Sequence, residues 1–275
     1  MADGLRSDTA QIVAVFVESI FYGLFLVTFF YCLRALLCTE SYRRGWRNVN
    51  WSMLIIALVF WISGTLNLAF GLLRLLQAFV YNTGPQKVTQ LGLDWVNVAK
   101  AVTISLQMIF GDGVLVYRCW TVYGKSWIVA FTPIILWMGI VALTIWLVYI
   151  QANISLGSRL YNPLAFPVCT AMWGVTIFLN VLATSLIVYR IWTVDRENNC
   201  NRQSLSPSHR PARKTGLHIT MKIIIESGLV YTLTSITVFI SHLARSNALY
   251  ITSAAHIMVI GIVFDLIIIR IAEHR

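Results

Sequence analysis

Asp112-Gly-Val-Leu-Val-Tyr-Arg-Cys-Trp-Thr-Val122 puts a carboxylate inside an apolar run and ends that run with an arginine among aromatic residues. The ending recurs: Val116-Tyr-Arg-Cys-Trp-Thr-Val122 returns as Val188-Tyr-Arg-Ile-Trp-Thr-Val194. Both copies close a long hydrophobic segment, where a helix would leave a membrane. The guanidinium then reaches the phosphates while Tyr117, Trp120, Tyr189 and Trp192 sit at headgroup depth. Arg34 and Arg270 end two further apolar runs in the same way. This interfacial reading accounts for the repeated heptapeptide; an internal structural repeat, as in some transporters, is the alternative it leaves open.

Working outward, the chain divides into seven apolar segments, at about 11–36, 51–78, 95–119, 127–150, 167–192, 217–242 and 248–271. A spanning helix needs ~20 apolar residues to cross ~30 Å of hydrocarbon. The 275 residues therefore hold seven such helices and leave no length for a separate soluble domain. Composition agrees, with 58% hydrophobic residues and 12% charged ones. The predicted fold is all-α: a single polytopic seven-transmembrane-helix bundle over 1–275. The apolar run after the polar residues 1–10 is too long for a signal-peptide core and is read as a retained first span.

The net charge of +10 is concentrated at helix ends, which argues against a nucleic-acid surface. Arg43, Arg44 and Arg47, then Lys125, then Arg196, Arg202, Arg210, Arg213 and Lys214, and finally Arg270 and Arg275 fall on one side. Arg6, Lys87, Arg159 and Arg245 are scattered on the other. Positive residues mark the cytosolic side, so the N-terminus is expected outside and the C-terminus in the cytosol. The segment 195–216, with Ser204, Ser206, Pro207 and Pro211, is expected to be a disordered basic cytosolic loop able to contact anionic lipid. Asn153-Ile-Ser155 falls on the outside as a possible glycosylation acceptor; Asn50-Trp-Ser52 falls in the cytosol and is not one.

Ionisable groups within a span are costly, by ~2.5–3.5 kcal/mol for Asp at a helix centre, and each is a functional suspect. They are Glu18, Asp112, Glu226 and Asp265, with Asn67, Gln107, Asn180 and His256 as companions. A rise of ~1.5 Å per residue puts Asp112 ~9 Å above Arg118 and Asp265 ~7.5 Å above Arg270. Asp112, Arg118, Arg190, Lys222, Glu226, Asp265 and Arg270 are thus expected to form an inner polar network. In its structural version each carboxylate meets a base, Lys222 and Glu226 by i,i+4 spacing on one helix. In its functional version Asp112, Glu226 and Asp265 line a cavity as a switch, a proton relay or catalytic acids. Glu18, Asn67 and His256, at similar outer depth, form a candidate outer pocket for a small lipophilic ligand, or separate interhelical hydrogen bonds. Gly111 and Gly113, on either side of Asp112, suit close helix approach.

Cys32, Cys38, Cys119, Cys169 and Cys200 show neither metal-ligand spacing nor a disulfide framework. No zinc-protease, nucleophile-elbow or phosphate-loop motif is present. No metal or cofactor is expected.

Asp112 with Leu115-Val-Tyr-Arg-Cys-Trp120, the ending Tyr189-Arg-Ile-Trp192, Leu266-Ile-Ile-Ile-Arg270, and the opening Thr9-Ala-Gln with Glu18-Ser and Tyr22-Gly23 resemble a large family of seven-helix membrane proteins of mushroom-forming (basidiomycete) fungi. The resemblance covers nearly the whole chain. It implies seven helices and an outside N-terminus, and no settled activity; Glu18, Asp112, Arg118 and Arg190 carry over as family features without roles. Asp112 and Arg118 also faintly resemble the Asp-Arg-Tyr of G-protein-coupled receptors, in a different order and spacing. Membrane-embedded terpene cyclases of fungal metabolism are similar in size and in their use of intramembrane acids.

The expected function is that of a receptor-like or sensor-like integral membrane protein without enzymatic activity. The alternatives are a terpene-cyclase-like enzyme of secondary metabolism using Asp112, Glu226 and Asp265, and a small carrier. The plasma membrane and the endoplasmic reticulum are both open as locations, since no sorting signal is legible.

Overall fold

The computed structural model describes residues 7–37, 51–76, 94–153, 165–203 and 213–273. They form seven helices and, among the described residues, no strand: α1 (Ser7–Leu37), α2 (Trp51–Leu76), α3 (Asp94–Val122), α4 (Trp127–Asn153), α5 (Ala165–Gln203), α6 (Arg213–Leu243) and α7 (Ala248–Glu273). Six of them, all but α6, are long and apolar enough within the described residues to cross a membrane.

The distribution of side chains inverts the pattern of a water-soluble bundle. On α1, Ile12, Phe16, Ile20, Leu24, Val27 and Phe30 recur every three or four residues and are exposed, while Ala14, Glu18, Phe25, Phe29 and Cys32 are buried. That 3.6-residue alternation separates two faces, yet the outward face is the apolar one and the inward face holds the carboxylate. The same sorting buries Asn67, Gln107, Asp112, Asn180, His256 and Asp265 and exposes Trp127, Ile128, Phe131, Trp146 and Tyr149. Such a surface is stable against hydrocarbon and not against water. The protein is membrane-embedded.

Neighbouring helices in sequence are neighbours in space, from α1 round to α7, and α7 closes the ring by packing most extensively on α1. α3 touches α5 and α7 as well as its chain neighbours. Two tight connections hold this order. After α3, Gly124 and Lys125 take left-handed φ of 63° and 65°, and the Lys125 amide donates back to the Trp120 carbonyl at 3.0 Å. This six-to-one bond closes orphan carbonyls at the helix end. After α6, Arg245 is left-handed at φ 49°, the Ser246 amide returns to the Ser241 carbonyl at 3.2 Å, and the Ser246 hydroxyl accepts from the Ala248 amide to cap α7.

One expectation is corrected here. The segment 195–216, expected to be disordered, is helical at both ends, because α5 runs to Gln203 and α6 starts at Arg213. Nucleation is the costly step of helix formation, and α5 is already nucleated when it leaves the apolar region near Val194, so polar Asp195-Arg-Glu-Asn-Asn continues it cheaply. Residues 204–212, with Arg210, lie outside the described residues, as do Arg43, Arg44, Arg47, Lys87 and Arg159.

The repeated heptapeptide also acquires a physical reason. Cys119 and Ile191 occupy the same place in the two copies, and both are buried in one small cluster with Ile187 at the seam of α3 and α5. Tyr117, Tyr189 and Trp192 face outward. Each copy gives its central apolar residue to the seam and its tyrosine to the lipid.

Candidate functional site: two polar clusters and a cavity

The first cluster joins α1, α2 and α3. Glu18 and Asn67 have no exposed surface. Asn67 Nδ2 donates to Glu18 Oε1 at 2.8 Å, and Lys100 Nζ stands 3.3 Å from Glu18 Oε2, with its side chain 21% exposed. Gly71 makes the pair possible: a Cβ there would lie 3.1 Å from Lys100 Nζ and 3.5 Å from Glu18 Oε2. Glu18 and Asn67 therefore meet, as expected, but their space is filled by a lysine. Lys100 is the residue that sequence reasoning missed. A base in the outer turns of the third segment was the signal for it.

His256 does not belong to this cluster. Its Nδ1 is 3.0 Å from Thr234 Oγ1 of α6, and its ring meets Trp173 edge-on at 5.4 Å and Tyr231 at 5.3 Å. Of the two versions expected for Glu18, Asn67 and His256, the shared pocket gives way to separate interhelical hydrogen bonds. Equal depth along two helices does not make two side chains share a face.

The second cluster joins α3, α5 and α6. Asp112 is fully buried. Its Oδ1 accepts from Asn180 Nδ2 at 3.2 Å and from Tyr231 Oη at 3.0 Å, with Thr176 beside it. Among the described residues, its Oδ2 and the Thr176 hydroxyl beside it make no well-formed hydrogen bond. The two glycines next to Asp112 bring helices close on both sides: a Cβ at Gly111 would lie 3.0 Å from Ile260 Cγ2 of α7, and one at Gly113 3.3 Å from Trp137 Nε1 of α4. Tyr231 was not anticipated, because a tyrosine in an apolar segment carries no mark of its bonding partner.

The inner network of ion pairs is corrected at Arg118 and Arg190. Among the described residues no carboxylate pairs with Arg118 or Arg190. The Arg118 guanidinium lies over the Phe264 ring at 5.9 Å, and that of Arg190 over Tyr123 at 5.8 Å. Asp112 turns towards α5 and α6 instead. Asp265 faces α1, where Thr28 Oγ1 donates to its Oδ2 at 3.3 Å and the Cys32 thiol lies beside it. Glu226 is exposed on α6. Asp112 and Asp265 are thus held by different neighbours. The side chains of Lys222, Arg270 and Asn153 lie outside the described residues, although all three positions are helical.

Below Asp112 is a cavity of about 180 Å³ enclosed by α3, α5, α6 and α7 and partly open. Asn180 and Tyr231, the two residues that hold Asp112, line its upper end; Arg118, Val122, Ile191 and Ile267 line its lower part. Val114, Leu115, Ile187, Ile260, Val263 and Phe264 make its wall largely hydrocarbon. The arrangement suits binding of an apolar molecule, since Asp112, the buried acid beside its upper end, is already engaged by neutral donors. Among the described residues no group of three His, Cys, Asp or Glu side chains is placed to hold a metal ion.

No protein-family model matches this chain, and no curated protein matches it.

Proposed function

We propose that this chain is a receptor-like or sensor-like integral membrane protein, with seven spanning helices, an outside N-terminus and a cytosolic C-terminus. A small lipophilic ligand occupies the cavity between α3, α5, α6 and α7. The reading rests on one observation above all: Tyr231 of α6 lines that cavity and also donates to Asp112 of α3. Whatever fills the cavity and moves Tyr231 alters a bond that ties α6 to the centre of the bundle, which is the element a sensor needs.

Arg34, Arg118, Lys125, Arg190 and Arg196, near or just beyond the ends of the apolar spans in α1, α3 and α5, support the orientation. The basic residues within 195–216 are proposed to contact anionic lipid. The likeness to the seven-helix proteins of mushroom-forming fungi is carried by the helix-end motifs and by Glu18 and Asp112, both of which hold a buried cluster. The enzyme alternative wanted Asp112, Glu226 and Asp265 around one space, whereas Asp112 turns to α5 and α6 and Asp265 to α1. Nothing observed favours a carrier.

Tags at the two termini test the topology: the N-terminal tag should be accessible from outside intact cells and the C-terminal tag only after permeabilisation. Tags on the same side would overturn the seven-span reading. For function, lipophilic compounds are screened by thermal unfolding of the purified protein. A stabilising compound recovered unchanged supports the receptor; one recovered chemically altered, with the alteration lost in Asp112→Asn, overturns it in favour of the enzyme.

A further inference from the structure

Shape and charge together say what kind of molecule the cavity takes. On α3 its wall runs from Gly111 to Val122, a length of ~16 Å at ~1.5 Å per residue. An engineered cavity of ~150 Å³ with aliphatic walls takes one benzene. A similar capacity, about 180 Å³, drawn out along three helical turns is a slot, and a slot suits a chain rather than a ring system. At the upper end the polar groups are already committed, Asn180 Nδ2 to Asp112 and to the Thr176 carbonyl, and Tyr231 Oη to Asp112. An apolar tail end loses nothing there.

The lower part is different. Arg118 lines it, and its Nη2 is sealed from solvent without a hydrogen-bond partner. Among the described residues the guanidinium meets the face of Phe264 and no carboxylate balances it. A charge partly withdrawn from water favours a counter-ion. A planar guanidinium offers paired N–H donors that match a carboxylate or a phosphate.

We propose that the cavity binds a single-chain amphiphile with an anionic head, its hydrocarbon tail in the slot and its carboxylate or phosphate on Arg118. This rests on the reading that the cavity takes a lipophilic ligand, and adds the head-group charge that the ligand must carry. A neutral chain fills the slot and leaves Arg118 unpaired; inorganic phosphate meets the arginine and leaves the slot empty. Both bind worse than the amphiphile.

The test is thermal unfolding of the full chain in uncharged detergent, titrated with oleate, a monoacylglycerol phosphate, oleyl alcohol or inorganic phosphate, with bound species counted by native mass spectrometry. Oleate or the monoacyl phosphate should raise the midpoint at concentrations at least tenfold below those needed for oleyl alcohol, with phosphate inert. Whichever of the two acts at lower concentration identifies the head. Arg118→Gln should bring the anionic chain down to the alcohol's level. If Arg118→Gln does not fold, Val263→Phe, which narrows the slot and keeps the arginine, should abolish the shift. Equal potency of oleate and oleyl alcohol would overturn the anionic head and leave the lipophilic site standing. No response to any chain would overturn both.

Discussion

Glu18 and Asp112 are both carboxylates without exposed surface, and the bundle satisfies them in opposite ways. Glu18 is met by a cation, Lys100, and by the Asn67 amide, at a junction of α1, α2 and α3 that Gly71 keeps open for the ammonium. Among the described residues Asp112 is met by neutral groups, the Asn180 amide and the Tyr231 hydroxyl, with the Thr176 hydroxyl beside it. The first arrangement is a clamp: opposite charges in a poorly solvated site hold three helices in one geometry, and separating them is expensive. The second is adjustable, because neutral hydrogen bonds between membrane helices contribute ~0.6 kcal/mol on average and can be exchanged. The adjustable cluster is the one that roofs the cavity. A membrane protein that responds to a ligand needs both kinds, a fixed frame and a weakly held element that moves against it.

The comparison breaks first, if it breaks, at Lys100. Lys100→Met leaves Glu18 buried without its cation, and loss of one partner of a buried pair costs ~3–5 kcal/mol. With the lysine a fifth exposed, the low end of that range is expected, read as a drop in the unfolding free energy in mild detergent. Adding Glu18→Gln to Lys100→Met should restore most of the loss. If the double variant is no better than the single one, Glu18 is not held as an ion.

Next in size is Tyr231→Phe, which takes the stronger of two donors from a buried acid and should cost ~1–2 kcal/mol. It sharpens the contrast further if ligand stabilisation falls more than basal stability does. Gly71→Ala should cost ~1 kcal/mol, since the added methyl meets the far end of a flexible lysine rather than backbone; the double variant with Lys100→Met should show no additional penalty. A further penalty would mean that Gly71 serves helix approach rather than the ammonium.

The smallest effect is expected for Asp112→Asn. An amide of the same shape keeps an oxygen for Tyr231 and Asn180, so the change should stay within ~0.6 kcal/mol. A loss as large as that of Lys100→Met would show that Asp112 is held as a charge after all and would erase the difference between the clusters.

Much of this was legible in the chain. The seven helices lie where the apolar segments were, and α2 and α4 start at the expected residues, Trp51 and Trp127, because a span of hydrocarbon imposes a length that sequence alone can meet. Buried polar residues were legible for a related reason: in an apolar segment Glu18, Asn67, Asp112 and Asn180 stand out by their cost. The use of Gly111 and Gly113 was legible too. Their partners were not. Pairing with arginine was one version for Asp112, which meets tyrosine; a pocket shared with Glu18 was one version for His256, which lies beside Trp173, Tyr231 and Thr234. A depth along the bilayer comes from counting residues, but a partner depends on rotation about each helix axis and on which helices adjoin.

The amino-acid sequence by itself determined that this protein lives in a membrane, where its apolar segments lie, and which residues are too costly to face lipid. Hydropathy and length are properties of each segment alone, so no neighbour is needed to evaluate them. Only the tertiary structure decided that Lys100 neutralises Glu18, that Asp112 is held by α5 and α6, and that a slot lies beneath it with Arg118 in its wall. Those outcomes arise from packing between segments far apart in the chain, where a glycine such as Gly71 or Gly111 sets the distance of approach and so chooses which polar groups meet.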